Sequence, residues 1–521
     1  MSARRLADEL RAAWQRDCGA TGGFLPPRAP LARVAAPFQE YLELSRELPH
    51  HHPAQCGGVR GWLGDALPRY TGDARQALAA LDLDEQQRLM TSLAALGHAY
   101  RWDTAPPPER ADRGLRLPDD LALPWDDLAK ALGVPRVGSH WNLFACNWTS
   151  QRVAPGSRYD PDELSMETMD VAEQWLWAPY DEQLRRFSLL FVLAESRGAR
   201  AVRACVEAID AAARQDSRTV ASALAEIAAA VDAMREVMSH HLRAPSIDPA
   251  TWLQHVQPTY AWDVEGESLN GPNGLQIAAL QALDATLGVA SASTLGRATL
   301  ENRAYMPPGH RRVLAAFDAA GSILREFVAD SRSPTLKWRF NDCVTCLRSW
   351  RLVHLQRAQR YIRGGGGAGE RFSTGLAVKW RDEDPSETGT TERALAHLQA
   401  LAVERLRETV AARVAAPPQG QEVARDDVAF AFLTADERAR LFHGSAIRHY
   451  ARDDVLIEQG RRGQPLMLIE SGTAAIAVDG ATTALRVRPG DVVGEISFVD
   501  DGPASASVVA QGDVEAIVLT R

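Results

Sequence analysis

The chain reads as two unlike parts, a large all-α domain followed by a small antiparallel β domain, and three observations carry that reading. Through about residue 390 the apolar residues recur at helical spacings of three, four and seven. After about residue 426 the period drops to two, in short runs ended by Gly, Asp or Pro. Between them lies "AAPPQGQEVARDD", a linker composition, preceded by one last helical pattern at about 391–415. We therefore expect a helical domain over 1–390, a helix and linker over 391–426, and a β domain over 427–521.

Taken in order, helical periodicity covers 75–101, 181–197 ("DEQLRRFSLLFVLAESR"), the alanine-rich stretches 200–213 and 219–243, then 275–288 and 310–329. Proline-bearing loops such as "TAPPPERADRG" and "MPPGH" separate them. A bundle of this size can enclose a ligand between its helices. The β domain is predicted from "DVLIEQG", "LMLIESG", "AAIAVDG", "TTALRVRPGD", "SASVVA" and "VEAIVLTR", enough strands for a small barrel or jelly roll.

Composition narrows the function classes. A net charge of −9 and a pI near 5.9 argue against a general nucleic-acid or membrane-surface binder. The amino-terminal "MSARRLADELRAAWQRDCGA" is a charged amphipathic helix without an apolar signal core, and no apolar run reaches membrane-spanning length, so a cytoplasmic protein is expected. Six scattered cysteines do not form a disulfide framework. Cys343 and Cys346 make a lone CxxC inside a helical pattern and read as core thiols rather than zinc ligands.

The chemistry concentrates in "CVTCLRSWRLVHLQRAQRYI", residues 343–362. Wound as an α-helix, Cys343, Leu347, Trp350, His354, Ala358 and Tyr361 share one stripe, which turns His354 inward, and Arg351 and Arg357 sit on its shoulders. A buried histidine satisfied by a hydrogen bond and an axial iron ligand with arginines near haem propionates both fit this pattern. The glycine-rich "RGGGGAGERFSTGLAVKW" that follows suits a lid or a connector and lacks the ending of a phosphate loop.

Several segments, read together, resemble the indoleamine 2,3-dioxygenase family of haem proteins over about residues 20–385. "FLPPRAPLARVAAPFQEYLELSRELP", "HAYRWDTAPP", "LALPWDDLAKALGVPRVGSHWNLFACNW", "FVLAESRGARA", "SLNGPNGLQIAALQALDATLGV", "YMPPGHRRVLAAF" and "LRSWRLVHLQRAQRYI" follow in the family's order. The resemblance implies an all-α fold holding haem b, with dioxygen as co-substrate and a small indole, tryptophan or a derivative, oxidised at C2–C3. It places His354 as the proximal iron ligand and Arg351 beside the haem, paired with a propionate or a neighbouring acid. It also places His140, Phe144, Phe187, Phe191, Gln257, Ser373 and Thr374 around the substrate pocket, with Glu195 further along the Phe187 helix.

Three positions depart from the family pattern. Phe191 stands where a serine or histidine is usual, and His140 where a tyrosine is usual. Gln257, in "WLQHVQPTYAW", stands where an arginine clamps the substrate carboxylate, and an amide cannot form that bidentate ionic pair. The fold is shared with a haem enzyme of pyrrolnitrin biosynthesis that rearranges a chlorinated tryptophan, so a rearrangement is the competing reaction. A haem-based gas or redox sensor is the alternative outside enzymology. In the β domain, "GDVVGEISFVDDGPASASVVA" resembles the phosphate-binding cassette of cyclic nucleotide-binding domains. Ala504 occupies its arginine position, and the chain ends at "VLTR", where lid helices usually follow. A structural or protein-docking module is expected there.

Overall fold

The computed structural model describes residues 2–51, 58–103, 115–242, 246–260, 262–363, 391–415, 446–487, 491–494, 497–498 and 502–519. The chain divides into two compact units, Met1–Ala416 and Pro417–Arg521.

In the first unit the site is built by α1 (Leu83–Arg101), α2 (Asp181–Ala213), α3 (Ser217–His241), α4 (Ala278–Leu287), α5 (Pro308–Ala320), α6 (Pro334–Arg363) and α7 (Thr391–Ala411). The pattern at 75–101 is two helices, broken because Asp82 forms a capping box: its carboxylate accepts from the Glu85 amide at 2.9 Å, and the Glu85 side chain accepts from the Asp82 amide at 3.2 Å. The pattern at 310–329 also breaks in two, at Gly321. A Cβ there would lie 2.1 Å from the Ala285 carbonyl oxygen, so the break lets this segment close against α4. The alanine-rich α2 and α3 make the most extensive helix pair of the unit, since small side chains allow close approach. α6 packs on α3, and α7 packs on α6.

One buried ion pair organises the amino-terminal part. Arg88 on α1 binds Glu173, both essentially inaccessible, and the Ser45 hydroxyl donates to Glu173 at 2.6 Å. The Arg88 Nε–H also donates to the Leu31 carbonyl at 2.8 Å, so two loops are tied to α1. Cys343 is buried and its thiol donates to the Leu224 carbonyl at 3.0 Å, while Cys346 is half-buried; neither is in a disulfide.

Among its described residues the second unit holds eight strands, β1 (Ala446–Tyr450), β2 (Val455–Ile457), β3 (Leu466–Ser471), β4 (Ala474–Val478), β5 (Ala481–Val487), β6 (Val492–Val493), β7 (Ser507–Ala510) and β8 (Val514–Leu519). They form two antiparallel four-stranded sheets, ordered β6–β3–β8–β1 and β2–β7–β4–β5, as in a jelly roll. All six sequence-predicted strands are present. β1, an exposed edge strand, and the two-residue β6 lack the alternation that would announce them. Among the described residues no helix is long and apolar enough to cross a membrane.

Candidate active site

α6 buries Cys343, Leu347, Trp350 and Tyr361 of the stripe that its spacing predicts. The Tyr361 hydroxyl anchors its far end, donating to the Ile247 carbonyl at 2.7 Å. His354 differs from the expectation of a buried side chain. Its surface is exposed, yet the surrounding protein is dense enough that loss of solvation lowers its pKa to about 4. Trp350, one turn earlier, holds the ring by stacking at 5.4 Å and 7°. His354 is therefore neutral at pH 7, and no described residue hydrogen-bonds its nitrogens. That is the donor iron requires, so the residue present fits a haem iron.

Arg351, three residues before His354, pairs with Asp284 on α4 and donates to the Thr409 hydroxyl on α7. Of the two partners expected for it, the structure thus supplies the neighbouring acid. Arg357 donates to the Ser239 carbonyl at 3.3 Å.

A second set of residues forms an aromatic box. His140 precedes and Phe144 lies within a wide helical turn at Trp141–Ala145, Phe187 and Phe191 project from one face of α2, and Tyr260 ends the short turn that Gln257 begins. Phe144 and Phe191 stack at 4.7 Å and 8°, and His140 meets Phe191 edge-on at 5.5 Å. Phe187 lies 5.1 Å from Phe191 and 5.7 Å from Tyr260. Trp252 joins the box to α6, touching Phe187 at 5.3 Å and Tyr361 at 5.6 Å. The structure thus brings together His140, Phe144, Phe187 and Phe191, with Gln257 buried three residues before Tyr260. Ser373 and Thr374 lie outside the described residues.

His98 explains why these turns meet. It is buried, with a pKa lowered to about 4 by loss of solvation, so its ring is neutral. Its Nε2 accepts from the Gly138 amide at 3.1 Å, which leaves Nδ1–H to donate to the Thr259 carbonyl at 2.7 Å. One imidazole therefore straps the turn carrying His140 to the turn carrying Gln257. Gly138 is required there, because a Cβ would lie 2.4 Å from His98 Nε2. His98→Phe removes both bonds and leaves two buried backbone groups unpaired; a loss of about 2–5 kcal/mol is expected, read as a lower denaturation midpoint. A midpoint within experimental error of the parent would refute the strap.

Beside the box lies a small cavity in which His140, Glu195, Gln276 and His310 are set among apolar residues such as Phe24, Trp141 and Met306. The Gln276 side chain accepts from the His140 amide at 2.8 Å, and Glu195 Oε1 accepts from the Ala278 amide at the start of α4, also at 2.8 Å. Burial raises the Glu195 carboxyl to about 7 and lowers the imidazoles of His140 and His310 to about 3. His140 Nε2 and Glu195 Oε2 have no hydrogen-bond partner among the described residues. Ser188, a residue sequence reasoning missed, adds a buried hydroxyl beside the Tyr260 phenol. The only signal for it was a polar residue inside the apolar run "FSLLF".

The profile described as "Indoleamine 2,3-dioxygenase" matches residues 17–366. The chain belongs to the indoleamine 2,3-dioxygenase family. Rattus norvegicus "Indoleamine 2,3-dioxygenase 1" is 29% identical over 295 residues, covering 51% of this chain and 67% of that protein. Homo sapiens "Indoleamine 2,3-dioxygenase 2" is 25% identical over 347 residues, covering 61% and 79%. The helical unit of this family member is a haem-dependent dioxygenase, and the accessible His354, stacked on Trp350, is the candidate for its centre.

The profile described as "Cyclic nucleotide-binding domain" matches residues 447–521. Over 89 residues, 17% of this chain, the protein is 37% identical to a "cAMP-dependent protein kinase regulatory subunit" of Hypocrea atroviridis, of which 19% is covered. Ala504 is buried with its methyl in the apolar core of the β unit. Its backbone is tied to the β2–β3 loop, accepting from the Gly460 amide at 2.8 Å and donating to the Arg461 carbonyl at 3.0 Å.

Proposed function

We propose that the helical unit holds haem b through His354 and oxidises the C2–C3 bond of tryptophan or an indole derivative. A neutral, accessible imidazole held by Trp350 one helical turn from a buried ion pair is the observation that supports this most directly. Haem iron, when bound, supplies the binding and activation of dioxygen. The chain's own work is orientation and exclusion of water. Phe144, Phe187, Phe191 and Tyr260 offer flat apolar walls that fix an indole plane and keep the reacting bond dry. Gln257 supplies an amide where the family pattern has a cation, so the side chain of the substrate is held without an ionic clamp. Both oxygen atoms end on C2 and C3 as the bond between them breaks. Haem reconstitution followed by oxygen uptake and product mass with a panel of indoles tests this; haem binding without indole turnover would leave the sensor reading instead. Gln257 also favours a substrate other than plain L-tryptophan, which keeps rearrangement of a modified tryptophan as the second reading; a product that gains no oxygen would establish it.

In the β unit we infer a cyclic nucleotide-binding fold that does not bind cyclic nucleotides tightly. Ala504, buried and without a donor side chain, offers no cation to a phosphate, and desolvating that anion unpaired costs several kcal/mol. Calorimetry with cyclic AMP and cyclic GMP is expected to show no saturable binding below about 10 μM, about −7 kcal/mol; tighter binding would restore a ligand-gated role.

A further inference from the structure

α7 lies beyond residue 366, where the family match ends, yet it is built into the environment of the His354 helix. Asp284 on α4 accepts from two cations, Arg351 of α6 on Oδ1 and Arg405 of α7 on Oδ2. Arg405 also donates to Glu408 at 2.7 Å, and Glu408 in turn accepts from the Ser293 amide at 2.6 Å and the Ser293 hydroxyl at 2.7 Å. Thr409 accepts from Arg351 and donates to the Arg405 carbonyl at 2.8 Å. Beyond α7 the chain stays fastened to α6, since the Asn341 amide accepts from the Val414 N–H at 2.9 Å and donates to the Val414 carbonyl at 3.0 Å. Asp284, Arg405 and Thr409 are all buried. The cluster is thus two guanidiniums and two carboxylates, balanced in charge and shielded from water. Arg351, its member on α6, is three residues from His354, and residues so spaced are neighbours on a helix surface.

We propose that Arg405 and Glu408 are positioning residues for His354, setting through Asp284 and Arg351 the orientation of the ligand helix and the electrostatic field at the iron. The proposal rests on the haem reading above. Removing either residue leaves one uncompensated charge in a poorly solvated cluster, and the two removals leave opposite signs. An excess negative charge stabilises ferric haem, which carries one more positive charge than ferrous haem; an excess positive charge favours the ferrous form.

The test is spectroelectrochemical titration of the full-length, haem-loaded protein. Arg405→Gln is expected to lower the midpoint potential and Glu408→Gln to raise it. Arg405→Lys, which keeps the charge, should stay near the parent value. Asp318→Asn, at the exposed partner of Arg303 elsewhere in the unit, should not move it. The rate of haem transfer to apomyoglobin should rise at least several-fold in Arg405→Gln and remain unchanged in Asp318→Asn. Shifts of the same sign for Arg405→Gln and Glu408→Gln, or no shift in either, would overturn the proposal even if both variants lose stability. A parent protein that takes up no haem would overturn it together with the haem reading, and that outcome is visible in the first spectrum.

Discussion

His354→Ala is expected to fold and to lose the Soret band. The side chain has an exposed surface and makes one described ring contact, the stack on Trp350, so its removal should cost the fold no more than about 1 kcal/mol. Its removal from the iron is far more consequential, because the histidines around the aromatic box are not free to replace it. His98 has both nitrogens committed to backbone partners. His140 and His310 are buried around the small cavity beside the aromatic box, and His240 Nδ1 bonds the Glu236 carbonyl. We expect haem affinity to fall by at least a hundredfold, measured by transfer to apomyoglobin, with a thermal midpoint within a few degrees of the parent apoprotein. Added imidazole should partly restore the spectrum in His354→Gly, since the vacated space is open to solvent. A His354→Ala protein with full haem occupancy and an unchanged spectrum would show the ligand to be elsewhere.

How far the sequence reveals this site depends on how local each interaction is. The His354 stripe is legible because helical periodicity is a short-range signal, and Cys343, Leu347, Trp350 and Tyr361 are buried as that period requires. What periodicity misjudged was access: a position on an apolar stripe faces inward, but whether it meets packed side chains or a cleft depends on elements far away in the chain. The Asp82 capping box was legible as Asp-x-x-Glu yet sat inside an otherwise continuous apolar pattern, so the helix break was missed. Asp284 with Arg351 and Arg405, and His98 with Gly138 and Thr259, join residues tens to more than a hundred positions apart. Nothing in a single sequence marks such pairs, because each partner alone is an ordinary charged or polar residue. The aromatic box was assembled only by resemblance, and the geometry now supplies the reason it forms.

The second large effect concerns the substrate carboxylate. Tryptamine is expected to bind nearly as well as L-tryptophan, within about fivefold. An arginine clamp adds about 2–4 kcal/mol from a bidentate ionic pair, which would separate the two ligands by roughly thirty- to several-hundred-fold. Gln257 is buried and engaged within the fold, and its neutral amide can contribute at most one ordinary hydrogen bond, about 1 kcal/mol. Affinity then comes chiefly from packing the indole against the cluster of Phe144, Phe187, Phe191 and Tyr260, surface that the two ligands share. The Ser188 hydroxyl and His140 Nε2 carry no fixed positive charge, since His140 is neutral well below pH 7, so neither can stand in for the guanidinium. Soret-shift titrations of the haem-loaded protein with both ligands at low ionic strength make the comparison, and Gln257→Ala should change either affinity by less than about tenfold. Micromolar L-tryptophan binding with a preference above thirtyfold over tryptamine, retained in Gln257→Ala, would mean that a cation outside the described residues reaches the carboxylate.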